Sequence, residues 1–200
     1  MKCRSVLVPP KTQFDKDAIL DAAFEIAREE GFAAITARSV AHRLGSSVAP
    51  IYVNFTTIED LTRAIVERVF SLSQVYLTRQ KGPNAFENIG LASLAFARDY
   101  PVLVRDLAMK PNPYIKDHEV QDNAMIAMMG DDPQLAGWSV DERRVLFLQM
   151  RAFQLGLTLL VANNQVPSWF SEDDLAKLVM QTGSDLVRAG NARKAESRKE

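Results

Sequence analysis

Thr36-Ala37-Arg38-Ser39-Val40-Ala41-His42-Arg43-Leu44-Gly45-Ser46-Ser47-Val48-Ala49-Pro50-Ile51-Tyr52-Val53-Asn54-Phe55 is the stretch that decides the fold. Thr36 is a good N-cap, because its hydroxyl accepts from a free amide of the first turn. Val40, Ala41 and Leu44 give the helix that follows a buried side. Gly45-Ser46 predicts a tight turn, and Ser47 is expected to cap a very short helix from Val48 to about Asn54. Pro50 is tolerated there because the first helical turn has unpaired N–H groups. Two short helices joined by a glycine-containing turn form a helix-turn-helix pattern.

A helix that enters a major groove must start with small or polar residues. Ser47, Val48, Ala49 and Pro50 meet that requirement. Ser47 offers a hydroxyl to a phosphate, and the small side chains allow close approach to base edges and thymine methyl groups. Tyr52 offers a hydroxyl to a phosphate oxygen. Arg38, one turn inside the preceding helix, has the reach for a phosphate or a guanine. Thr36, Ser46 and Asn54 complete the candidate DNA-binding set. The same pattern also fits a helical corner in another all-α protein.

Working outward, helical spacing continues in both directions and no strand pattern is evident. A helix is expected from Asp15 to Glu30, with Ile19, Ala22, Ala23, Ile26 and Ala27 inward and Gly31 as its stop. Downstream, Thr57 caps a long helix bearing Ile58, Leu61, Ile65, Val69 and Leu72. Further helices are expected at about 85–99, 102–109, 114–129, 140–163 and 172–189. Ser139 with Glu142 matches a capping box. The expected organisation is a flexible arm at 1–14, a DNA-binding head at 15–56, a larger domain at 57–190 and a polar tail at 191–200.

Composition bounds the classes. The chain has 200 residues, 47% hydrophobic and 24% charged, which excludes a disordered or collagen-like polymer. Its single cysteine, Cys3, excludes an internal disulfide and a multi-cysteine zinc site. The longest apolar stretch, near Leu155 to Ala162, is far short of the ~20 residues of a membrane span. A cytoplasmic protein with no membrane partner is expected. The net charge of −1 does not announce a nucleic-acid binder, but its distribution is informative. Residues 31–58 carry Arg38 and Arg43 and no acid, within an otherwise acidic chain. A surface facing phosphates should exclude carboxylates.

Enzyme chemistry finds little support. There are two histidines. His42 stands beside Arg43, where a phosphate-facing or solvated role fits better than catalysis. His118 and Asp122 share a helical spacing that could pair on a metal, although a solvated helix face explains them better. No Gly-rich phosphate loop, G-x-S-x-G or H-E-x-x-H motif occurs. No enzyme activity, cofactor or metal is expected.

Ile19-Leu20-Asp21-Ala22-Ala23-Phe24, Gly31-Phe32, Thr36 to Ala41, Gly45 to Phe55 and Glu59-Asp60-Leu61 together resemble the opening of the tetracycline-repressor (TetR) family. Phe96 to Pro101 and Gly156 to Leu160 look like segments of that family's effector domain. Two positions depart from the pattern. Asn54 stands where the family usually has His, and Ile58 where it usually has Lys. Ile58 cannot pair with a phosphate, which should lower the salt slope of binding by ~0.9. The basic arm (Lys2, Arg4, Lys11) could compensate from a minor groove.

The resemblance implies an all-α protein with a three-helix DNA-binding head and a helical effector-binding and dimerisation domain. It implies a homodimeric repressor of double-stranded DNA, with recognition helices about 34–36 Å apart on a near-palindromic operator. It implies a small effector in a pocket. Methionines adapt to irregular apolar ligands, so the expected lining is Phe96, Tyr100, Leu103, Met109, Met125, Met128, Phe147 and Met150, and the expected effector mainly apolar. The implied dimer interface uses Phe153, Gly156, Leu157, Leu160, Leu175, Leu178, Val179 and Thr182. Effector binding would move the helix after Pro101, push the fourth helix and change the spacing of the heads. An alternative is a TetR-like dimeric interaction protein without specific DNA binding.

Overall fold

The structure, a computed structural model, describes residues 14–82, 84–110, 113 and 118–197. The basic residues Lys2, Arg4 and Lys11 lie outside them, as do the first residues of the helix expected at 114–129 and the side chain of His118. Among the described residues there are helices and no strand, so the fold is all-α. The chain divides into two compact units, Met1–Ile65 and Val66–Glu200.

The first unit holds α1 (Lys16–Glu30), α2 (Ala37–Leu44), α3 (Ala49–Asn54) and the first turns of α4 (Ile58–Thr78). Asp15 caps α1 by accepting from the Ala18 amide at 2.8 Å. Ile19, Ala23, Ile26 and Ala27 of α1 are buried with Val40, Ala41, Ile51 and Phe55. Between α1 and α2 the chain makes a 3-10 turn, Phe32–Ala34. Thr57 opens α4 as expected: the Asp60 amide donates to its hydroxyl at 3.1 Å, and Asp60 accepts from the Thr57 amide at 3.2 Å.

The second unit holds the rest of α4, then α5 (Ala85–Asp99), α6 (Pro101–Met109), α7 (His118–Met128), α8 (Val140–Ala162) and α9 (Glu172–Ser197). Pro101 begins α6 rather than preceding it. Its missing N–H is harmless at a helix start, so Tyr100 alone separates α5 from α6. The capping box at Ser139 forms, with the Ser139 amide donating to Glu142 at 2.6 Å and the Glu142 amide donating back at 3.2 Å. α5, α8 and α9 pack together around Leu94, Leu157, Leu175 and Val179.

That core changes the reading of the two long helices. Leu157, Leu175 and Val179, expected at a dimer interface, are buried inside the protomer. Phe153 and Leu178 pack against the same cluster. Thr182 is half-buried. Gly183 also serves the protomer, because a Cβ there would strike the Phe86 ring of α5. By contrast, a Cβ on Gly156 would meet nothing within 4 Å, and Leu160 stays 40% exposed. α8 as a whole is long and apolar enough to cross a membrane, with a mean hydropathy of 1.6. Only 17% of that apolar window is buried.

α9 runs past the point where a polar tail was expected. Long-range contacts hold its last turns. Trp138 donates its indole N–H to Asn191 at 2.8 Å, and the Lys194 ammonium lies 5.8 Å from the Trp138 ring centre. Lys194 also donates to the Gly137 carbonyl at 2.9 Å and to both oxygens of Glu142, at 2.6 and 2.8 Å. The bond from Lys194, with that from the Ser139 amide, lowers the Glu142 carboxyl from 4.5 to about 2.

A depressed folded-state pKa stabilises above the unfolded value, and that contribution fades as pH falls through the folded one. We therefore expect wild type to exceed Glu142→Gln in urea midpoint at pH 7. The gap should narrow between about 4.5 and 2. A gap that stays constant down to pH 3 would contradict the Lys194–Glu142 assignment.

Candidate DNA interface

The site is built on local backbone chemistry. Thr36 accepts from the Ser39 amide at 3.0 Å, and Ser39 accepts from the Thr36 amide at 2.9 Å, so α2 starts with a reciprocal cap. α2 ends at Gly45, which sits in the left-handed region at φ 62°. A side chain there would strain the backbone. The Ser46 amide then reaches back to the Ala41 carbonyl at 2.9 Å, which closes the turn.

α3 begins one residue later than the sequence suggested. Val48 is its N-cap residue, with no side-chain cap, so Ser47 does not cap the helix. Ser46 is turned instead toward the backbone, donating to the Ser47 carbonyl at 2.9 Å. Ser47 therefore lies exposed ahead of α3 with Val48 and Ala49, while Pro50 is half-buried. Ile51 and Phe55, four residues apart, point inward and are buried. Their burial turns Tyr52 and Val53 outward, at 53% and 76% exposure.

Val53 was not among the expected contacts. The signal was present in the sequence: with Ile51 and Phe55 inward, 100° steps put position 53 on the outer face. Asn54, by contrast, is occupied within the protein. Its amide donates to the Pro50 carbonyl at 2.9 Å and to the Phe14 carbonyl at 3.4 Å.

Electrostatics sort the two arginines. Arg43 is paired with Glu29 of α1 through both guanidinium nitrogens. That bond lowers the Glu29 carboxyl and raises the Arg43 guanidinium. Arg38 is exposed and makes no ion pair among the described residues, so its guanidinium is open to an incoming phosphate or base. Ile58 is half-buried at the start of α4, and its carbonyl accepts from the Thr62 hydroxyl at 2.9 Å.

This geometry is a short capped helix, a left-handed glycine turn and a second short helix with an uncharged exposed face. The family model for bacterial regulatory proteins of the tetR family matches residues 19–65, which span it. Residues 19–65 thus form a tetR-type N-terminal domain. No curated protein matches the chain. That domain supports a DNA-binding transcriptional regulator.

The expected effector residues of the second unit are dispersed. Leu103 is fully buried and Phe96 nearly so, while Met109 and Met128 are 69% and 62% exposed. Met125, Phe147 and Met150 are half-buried. Phe96 and Tyr100 do meet, with ring centres 5.0 Å apart, and both pack edge-on against Tyr76 of α4. The Tyr76 hydroxyl donates to Asp99, and burial with that bond pushes the phenol up to about 12. None of the eight lines either of two cavities of about 370 and 480 Å³ in this unit. Asp122, considered as a metal partner of His118, pairs with Arg151 at 2.5 Å. Among the described residues, no cluster of three metal-ligating side chains occurs.

Asn54→Asp removes the donor that ties α3 to Phe14 and Pro50. We expect it to destabilise the head by about 1–2 kcal/mol. Thermal unfolding of the full chain followed by circular dichroism checks this, and an unchanged first transition would count against it.

Proposed function

We propose that this tetR-family regulator is a cytoplasmic homodimeric repressor that binds a near-palindromic operator and is released by a small, mainly apolar effector. The observation that carries the DNA part is the exposed face of α3. Val48, Ala49, Tyr52 and Val53 stand outward on a helix whose inner residues are fixed by burial. In this reading Ser47, Tyr52 and Thr36 position the backbone phosphates. Arg38 takes a phosphate or a guanine. Val48, Ala49, Pro50 and Val53 meet base edges and thymine methyl groups, which read sequence rather than charge. Ser46 and Asn54 serve by shaping the turn and closing α3.

The support for a dimer is the unburied apolar face of α8. Val145, Leu148 and Leu155 recur at spacings of three and seven, at 57%, 65% and 44% exposure. Leu160 and the open backbone at Gly156 extend that face, and Met180 adds an exposed apolar side chain on α9. A second copy related by a two-fold axis would cover like with like. The interface proposed is therefore this outer face. Leu157, Leu175 and Val179 lie behind it in the core.

The effector part rests on the joint at Tyr76. This residue ties α4 to Asp99, Phe96 and Tyr100, immediately before α6. A ligand that shifted the α5–α6 junction would act on α4 through that joint. Linkage requires that DNA weaken effector binding by the same factor.

Fluorescence anisotropy on the DNA flanking the protein's own gene, against a scrambled duplex at ~150 mM salt, tests the reading. A repressor should bind its operator at ~10⁻⁸ M or tighter. Arg38→Ala and Tyr52→Phe should weaken operator binding with the dimer intact. If Arg38 pairs with a phosphate, its loss should lower the salt slope by ~0.9. Equal, weak binding to the operator and the scrambled duplex would count against specific recognition.

For the dimer, Leu148→Glu with Leu155→Glu should give a folded monomer in sedimentation velocity. Leu157→Ala should instead cost ~2–5 kcal/mol of stability. A folded dimer in the double variant would rule out this face.

A further inference from the structure

The geometry points to a binding site for a small carboxylate with an apolar body, between the α5–α6 junction and the α8–α9 loop. It goes beyond the repressor reading by naming a site and a ligand class outside the residues expected to line the effector pocket. The space is about 480 Å³, within the range of small-ligand sites. Ala97, Pro101, Val161, Val166, Phe170 and Leu175 supply the apolar part of its lining. Leu175 belongs to the packed core, and Val161, Val166 and Phe170 lean on the same cluster.

One charged pair stands among these walls. The Arg98 guanidinium meets the Glu172 carboxylate at 3.1 Å. The two partners are held very differently. Arg98 projects from the last turn of α5 and its side chain is 34% exposed, whereas the Glu172 side chain is 73% exposed at the first residue of α9. The neighbouring Asp174 is turned back on Ser171, accepting from its hydroxyl at 2.6 Å and its amide at 3.0 Å. Glu172 is therefore a weakly held, solvated stand-in for a carboxylate at Arg98, and moving it back into water costs little. An incoming carboxylate would take the same guanidinium in two parallel bonds and lay its chain on the apolar wall. Asn164 and Ser168, also on the lining, offer polar atoms beside that head group.

The charge sets the class. A neutral chain would offer the Arg98 guanidinium nothing in place of Glu172. A cationic amphiphile would need to displace Arg98, the less exposed partner, from Glu172.

Isothermal titration calorimetry of the full chain without DNA tests this with decanoate, decanol and decyltrimethylammonium, each below its micelle concentration. Decanoate should bind best. Arg98→Gln should weaken decanoate about tenfold, the worth of one charge-assisted hydrogen bond. Glu172→Gln should strengthen it about threefold, because the competing carboxylate is gone. Neither change touches the core, so both variants keep the fold, which circular dichroism verifies. The opposite signs of the two variants separate a ligand site from a merely structural ion pair. Equal binding of decanol, a preference for the ammonium, or no change in Arg98→Gln would overturn the proposal. Operator binding is measured separately, so this site and the repressor reading can fail independently.

Discussion

The left-handed turn at Gly45 is the constraint on which the head depends. It stops α2 after eight residues and aims α3 away from it. The Ser46–Ala41 bond holds that reversal. Burial of Ile51 and Phe55 then fixes the rotation of α3 about its own axis. With direction and rotation both set, Tyr52 and Val53 have no choice but to face outward. A side chain at position 45 would disturb the turn before it disturbed any surface residue. The outward face of α3 is thus a consequence of backbone geometry and two buried side chains.

The second unit works on a different principle. Its helices leave some of their apolar side chains exposed. α8 shows this most clearly. Leu146, Leu157, Thr158 and Ala162 are buried, while Val145, Leu148 and Leu155 on its other face are open. Apolar residues on both faces make the helix look membrane-like by composition. An inward face packed on α5 and α9, with an outward apolar face left uncovered, accounts for the same composition.

Ionic contacts here fasten ends more than they build cores. Lys194 with Glu142 joins the end of α9 to the start of α8, and the Trp138 ring and Asn191 complete the clasp. Arg105 donates to the Ala162 carbonyl at 3.0 Å, occupying a free acceptor at the end of α8. Tyr76 with Asp99 fastens α4 to the end of α5. Helix ends carry unpaired backbone groups and few apolar side chains, so polar contacts there meet a need that packing cannot.

Much of the head was legible in the sequence. Thr36, Gly45 and Thr57 there, and Ser139 in the second unit, mark helix boundaries through chemistry that acts within a few residues, so reading them needed no knowledge of distant contacts. Ser47 misled because α3 opens at Ala49, with Val48 in the cap position and no side-chain cap. The candidate pocket was not legible. Methionine and aromatic content says that apolar side chains are present without saying which of them enclose a space.

The sequence by itself determined an all-helical chain, a helix-turn-helix near its start and an acid-free surface there. Those follow from local propensity, capping and charge order, which are fixed by neighbours in the chain. Tertiary structure alone decided which face of α8 is core, how far α9 extends, and that Arg98 and Glu172 meet beside an apolar space. Each depends on residues far apart in sequence, and periodicity names a face without naming its partner.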